Sequence, residues 1–160
     1  IHAIMLYDQN NDEGLSHNLI IERKSPLSCT AEYLCFGCND NGSITPIGDI
    51  DVFYFTGTQN DRVILTVSEI PSFGEPCFEL FSPSGALVTE EPICDINNAE
   101  FDQTLTDSGL YTIFINDEND DETFNYDIDI QCIGQCDSNI PVVTTWCPAI
   151  FNDGFESLLQ

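Results

Sequence analysis

The residues of this chain best suited to chemistry are carboxylates gathered in short runs. Asp8-Gln-Asn-Asn-Asp-Glu13 holds Asp8, Asn10 and Asp12, and Gly48-Asp-Ile-Asp51 adds Asp49 and Asp51. Asp117-Glu-Asn-Asp-Asp-Glu122 sets five carboxylates in six residues, with Asp120 and Asp121 among them. Carboxylate, amide and carbonyl oxygens are hard ligands, and Ca2+ takes roughly six to eight of them in flexible geometry. Like charges packed this closely repel, and a divalent ion would relieve the repulsion. We therefore expect Ca2+ as the cofactor, held by Asp8, Asn10, Asp12, Asp49 and Asp51 at one place and by Asp117, Asp120 and Asp121 at another. Asn39-Asp-Asn-Gly42 is a further oxygen-rich run, and none of the runs has the spacing of an EF-hand loop. Solvated turns are the competing reading, because Asp and Asn favour turns through local hydrogen bonds.

The same inventory argues against catalysis. A serine nucleophile needs a positioned base, and His2 and His17 both lie near the start of the chain, with no Gly-x-Ser-x-Gly elbow. A glycosidase needs one acid with a raised pKa in a sheltered cleft, whereas carboxylates crowded in loops are ionised and exposed. The expectation is a protein that is not an enzyme.

Cys29, Cys35, Cys38, Cys77, Cys94, Cys132, Cys136 and Cys147 make an even count of eight, which predicts disulfides and an oxidising compartment. Cys35-Phe-Gly-Cys38 alone would also suit zinc, but a zinc site wants a second tight pair or nearby histidines. One pairing follows from local structure. Cys77-Phe-Glu-Leu-Phe-Ser82 reads as a strand, Ser82-Pro-Ser-Gly85 as a tight turn, and the return run reaches Cys94. Cys77–Cys94 would close that hairpin, and the other six cysteines would join the Cys29–Cys38 loop to the last core strand and the tail. The cysteines thus point to a secreted, extracellular protein, and because the opening Ile1-His2-Ala3 has no charged leader region, the expected form is the mature one after signal-peptide removal.

Positioning these groups falls to strands. The chain has 160 residues, 3 Lys+Arg against 28 Asp+Glu for a net charge of −25, and eleven Phe with five Tyr. Such charge would suit a disordered chain, but the aromatic and β-branched content does not. The acidity excludes nucleic acid and anionic lipid as charge-driven partners. No apolar run approaches the roughly 20 residues of a membrane-spanning helix. Two-residue alternation is frequent and is clearest in Thr123–Cys132, where Tyr126, Ile128 and Ile130 face one way and Asp127, Asp129 and Gln131 the other. Ile50–Thr56, Arg62–Val67 and Gly109–Ile115 read as more deeply buried strands, with turn-rich segments between them. The fold class is all-β, an antiparallel β-sandwich with disulfide-tied N- and C-terminal extensions. Residues 1–47 are read as an N-terminal strand and cysteine-rich extension, 48–136 as the sandwich core, and 137–160 as a C-terminal strand and tail. Phe53, Phe55, Phe78, Tyr111, Phe114 and Tyr126 are expected in the core, and Trp146 against the Cys147 disulfide.

Four motifs in order carry a resemblance. Gly48-Asp-Ile-Asp-Val-Phe-Tyr-Phe-Thr56, Phe78-Glu-Leu-Phe-Ser-Pro-Ser-Gly85, Ser108-Gly-Leu-Tyr-Thr-Ile-Phe-Ile115 and Tyr126-Asp-Ile-Asp-Ile130 make residues 8–132 similar to the bacterial pre-peptidase C-terminal domain. The resemblance implies a jelly-roll-like sandwich of secreted proteins, often calcium-binding and without catalysis of its own. It also places the Asp8–Glu13 run where that family carries an acidic, Asn-rich segment. The cysteines and the extra ends depart from the family pattern. Ile150-Phe-Asn-Asp-Gly-Phe-Glu-Ser157 is similar to an ending of bacterial exported proteins, which supports export.

These readings converge on a secreted structural protein that acts by protein–protein contact. Its expected partners are other copies of itself, in an extracellular filament joined by strand addition through Ile1–Tyr7 or Ile140–Thr145 and stabilised by calcium and disulfides. The alternative is a calcium-dependent accessory module for polysaccharide or collagen-like ligands.

Overall fold

Alternating apolar residues over short spans, punctuated by Gly, Pro and Asp, drive this chain into strands that each bury one face. A computed structural model describes residues 31–70, 74–89, 91–96, 98–134 and 136. In chain order the strands are β1 (Glu32–Tyr33), β2 (Asn39–Ile44), β3 (Asp51–Gly57), β4 (Arg62–Ile70), β5 (Pro76–Phe81), β6 (Ile93–Cys94), β7 (Asn98–Thr104), β8 (Gly109–Asp117) and β9 (Phe124–Ile133). They form two sheets, ordered β1-β3-β8-β5-β6 and β2-β9-β4-β7. Successive strands switch sheets throughout, except from β5 to β6. The chain is a β-sandwich, and its described residues contain no helix.

One pair departs from the all-antiparallel expectation: β1 runs parallel to β3, with Glu32 opposite Phe53. β2 and β7 are strands that composition hides. Asn39-Asp-Asn-Gly42, read as a turn or ion loop, is paired residue for residue with β9, Asn41 opposite Asp127 and Gly42 opposite Tyr126. β1 and β2 therefore contribute to the sheets from within the stretch read as the N-terminal extension.

The core lies between the sheets. Phe53, Phe55, Val63, Leu65, Val67, Phe78, Leu80, Tyr111, Ile113, Tyr126, Ile128 and Ile130 are all buried there. Burying each such side chain contributes on the order of 1.5–3 kcal/mol. Phe55 stacks on Tyr111 with ring centres 5.2 Å apart, and Phe53 meets Tyr126 edge-on at 6.4 Å. Phe114 is buried as expected but belongs elsewhere. It joins Val52 and Phe81 in a second apolar cluster, set by strand alternation on the opposite face of its sheet. That sheet is consequently buried on both faces at these residues.

Cys77–Cys94 is bonded, as the hairpin argument requires, with the two residues directly opposite each other in β5 and β6. The turn closes with Gly85 N–H donating to Ser82 O at 2.8 Å, and Gly85 adopts a φ of 81° that favours glycine. The expected cross-link between the cysteine-rich loop and the last core strand is replaced by local pairs, Cys35–Cys38 and Cys132–Cys136. Their Cα atoms are 5.3 Å and 6.0 Å apart, within ordinary bridging distance. Cys29, Cys147 and Trp146 lie outside the described residues.

Candidate functional site

Among the described residues, polar side chains concentrate at three places. The first is a recess of about 190 Å3 lined by Glu32, Asn41, Gly42, Ser43, Asp51, Val52 and Phe53. Strand register builds it: β1 lays Glu32 beside Phe53, and β2 presents Asn41 to Ser43 along the end of β9. The Tyr126 hydroxyl donates to Asp51 Oδ2 at 2.6 Å. Burial above all, and then the hydrogen bond to Asp51, push the Tyr126 hydroxyl far above its ordinary range, so it remains a neutral donor. Gly42 makes room for that hydroxyl, since a Cβ there would lie 2.2 Å from the Tyr126 oxygen.

Asp49 has a different job from Asp51. Its carboxylate accepts the Thr45 N–H at 3.2 Å and the Ile50 N–H at 3.0 Å, which fixes the loop leading into β3. Glu32, Asp51, Ser43 and Asn41 leave a set of two carboxylates, a hydroxyl and an amide around the recess. These are hard oxygen donors of the kind Ca2+ prefers. Asp8, Asn10 and Asp12 lie outside the described residues. Glu32 was not legible as a member of this group, because only the long-range β1–β3 pairing brings it there.

The second place is the loop after β8. Asp117 is buried at 1% exposure. Its Oδ2 accepts the Asp121 N–H at 2.9 Å and the Glu122 N–H at 3.2 Å, and its Oδ1 the Glu75 N–H at 3.4 Å. Asp117 thus organises the loop through backbone hydrogen bonds. Asp120 is exposed, with a left-handed φ of 55°, and Asp121 is exposed beside it. Glu75, from before β5, joins this group: Asn119 Nδ2 donates to its Oε2 at 2.9 Å. A hydrogen bond with Glu118, followed by burial and repulsion from Glu118, Glu122 and Asp117, holds the Glu75 carboxyl above its ordinary value.

The third place is a groove of about 640 Å3 along β7. Its walls include Glu91, Pro92 and Ile93 on one side and Glu100, Phe101 and Asp102 on the other. β7 pairs with β4 alone among the described residues, so its other edge is an open row of backbone donors and acceptors. Arg62 Nε donates to Asp102 Oδ1 at 2.7 Å, and its guanidinium completes an ion pair with the same carboxylate. That hydrogen bond holds the Asp102 carboxyl below the usual range. Arg62 is the only Lys or Arg among the described residues. β7 escaped the sequence reading, although Ala99 and Phe101, buried between exposed Asn98, Glu100 and Asp102, are its period-two signal.

Asp61, Cys132 and Cys136 place their donor atoms within 4.8 Å of one another, but both sulfurs are joined in a disulfide and offer no thiolate. The large apolar side chains exposed among the described residues are Ile47, Ile70, Val88, Ile96 and Ile133, none of them aromatic.

No family model and no curated protein matches the sequence. Solved structures resemble the fold. The pre-peptidase C-terminal domain of a collagenase from Bacillus anthracis aligns at a TM-score of 0.55 and 14% identity, over 71% of this chain and 100% of that one. Aeromonas hydrophila PliG, a periplasmic lysozyme inhibitor of g-type lysozyme, aligns at 0.52 and 14% identity, over 65% of this chain and 96% of that one. CorA, a surface-associated copper-binding protein of Methylomicrobium album BG8, aligns at 0.50 and 6% identity, over 64% and 98%. The likeness to the collagenase domain agrees with the architecture that the four motifs implied.

Proposed function

We propose that this chain is an exported, non-catalytic domain that works by protein–protein contact, with the open edge of β7 as its contact element. The observation that carries this reading is the edge itself. β7 spans seven residues in unbroken register with β4, its other side is unpaired among the described residues, and a groove lined in part by Glu100–Thr104 runs beside it. β7 carries no Lys, Pro or bulge to blunt it, and its exposed charges are the acidic Glu100 and Asp102. Disulfides among the described residues support export, as do neighbours in fold that are periplasmic or surface-associated. One of those neighbours is itself an inhibitor of another protein, which supports contact rather than turnover.

Ca2+ belongs to the proposal as a brace. Bound among Glu32, Ser43 and Asp51, it would tie β1 and β2 to the start of β3.

The finer reading, a filament of copies joined by strand addition, would use the same edge as acceptor. Light scattering with and without calcium tests it, and a strict monomer in both conditions removes it. The contact reading has its own test, a seven-residue peptide alternating valine and threonine, followed by amide exchange. Protection confined to residues 98–104 supports the edge, and protection elsewhere or nowhere contradicts it.

A further inference from the structure

We infer that the β7 edge selects an extended strand bearing Lys or Arg from a different protein. This rests on the contact reading above and names the chemistry of the partner. An added strand along seven residues would run for about 23 Å at roughly 3.3 Å per residue. Along Glu100–Thr104 it would lie in a groove with carboxylates on both walls, Glu91 on the segment before β6 and Glu100 on β7. Asp102 also lines the groove, and Arg62 already neutralises it. No other Lys or Arg stands among the described residues to offset Glu91 or Glu100. Backbone groups of the edge would accept any strand, so discrimination falls to these side chains. An acidic strand would be repelled and a basic one attracted. The same sign argument works against a second copy, since each chain carries a net charge of −25.

The test compares three seven-residue peptides in which valine alternates with lysine, threonine or glutamate, titrated by fluorescence anisotropy against the intact, oxidised protein. At low ionic strength the lysine peptide is expected to bind at least about tenfold more tightly than the threonine peptide, and the glutamate peptide more weakly than either. In about 1 M salt the difference should fall to about twofold, because the screening length is then only about 3 Å. The double variant Glu91→Gln/Glu100→Gln, checked for an unchanged melting temperature, should lose most of the lysine preference while holding the threonine peptide as before. N-methylation of alternate peptide amides should abolish binding.

Equal binding of lysine and threonine peptides overturns the inference and leaves the edge reading standing. Failure of all three overturns both. A lysine preference that survives the double variant, or binding that survives N-methylation, places the attraction elsewhere and overturns the inference. Concentration-dependent growth of the free protein into larger particles, blocked by the threonine peptide, overturns the choice of a different protein as partner.

Discussion

Tyr126 and Asp51 are 75 positions apart and share a side-chain hydrogen bond between strands of the two sheets, the tyrosine hydroxyl donating to the carboxylate at 2.6 Å. The contact joins β9 of one sheet to β3 of the other, and its acceptor Asp51 lines the oxygen-rich recess. Tyr126→Phe removes one hydrogen-bond donor from a part-buried carboxylate, so we expect a loss of about 1–3 kcal/mol in urea unfolding. Gly42→Ala should cost about 1–3 kcal/mol by overpacking, because its Cβ would collide with the same hydroxyl. Unchanged midpoints in both variants would contradict the role given to this contact.

Calcium should raise the melting temperature and chelation should lower it. At an ion concentration of about 100 times Kd, linkage gives about 2.7 kcal/mol of stabilisation. Asp51→Asn should abolish the response, whereas Asp49→Asn should weaken the loop through its lost backbone hydrogen bonds and keep the calcium dependence. A melting temperature indifferent to chelator makes the acidity a matter of solubility alone and removes calcium from the account.

The disulfides differ in how much chain they constrain. Cys77–Cys94 spans a separation of 17 residues, and replacing both cysteines by alanine should cost about 3 kcal/mol. Cys35–Cys38 spans a separation of three and should cost less when both become serine. Unfolding of the two double variants under non-reducing conditions checks the order.

Glu75 carries a pH signature. Its carboxyl is held above the ordinary Glu value in the folded state, chiefly by its hydrogen bond with Glu118. The stabilising contribution is therefore fully present below the unfolded value, about pH 4, and is lost as pH rises through the higher folded one. Glu75→Gln keeps a neutral side chain at every pH. It should be more stable than the parent at pH 7, with the gap closing towards pH 4. Parallel melting curves across that range would contradict the raised Glu75 value.

Much of the sandwich was legible in the sequence because its core strands combine alternation with aromatic and β-branched residues, as in Asp51–Gly57 and Phe124–Ile133. The Cys77–Cys94 pair was legible because its hairpin is local. β2 and β7 were not, since Asn-Asp-Asn-Gly and Asn-Ala-Glu-Phe-Asp have the composition of turns, and only pairing with β9 and β4 makes them strands. The recess was half legible. Asp51 stood out in its motif, while Glu32 and Ser43 reach it through pairings that no local pattern announces. Asp117 was read as an ion ligand by type, and the backbone N–H bonds that both of its oxygens accept depend on a loop geometry that no local pattern announces.

Residue-resolved amide hydrogen exchange on the free protein shows whether β7 is an acceptor edge. Alternate amides of residues 98–104, those facing away from β4, should exchange orders of magnitude faster than the amides of β4 and β9, and should become protected when a basic extended peptide is added. Uniform protection of β7 in the free protein, equal to that of β4, would mean that the edge is already covered and would contradict the account.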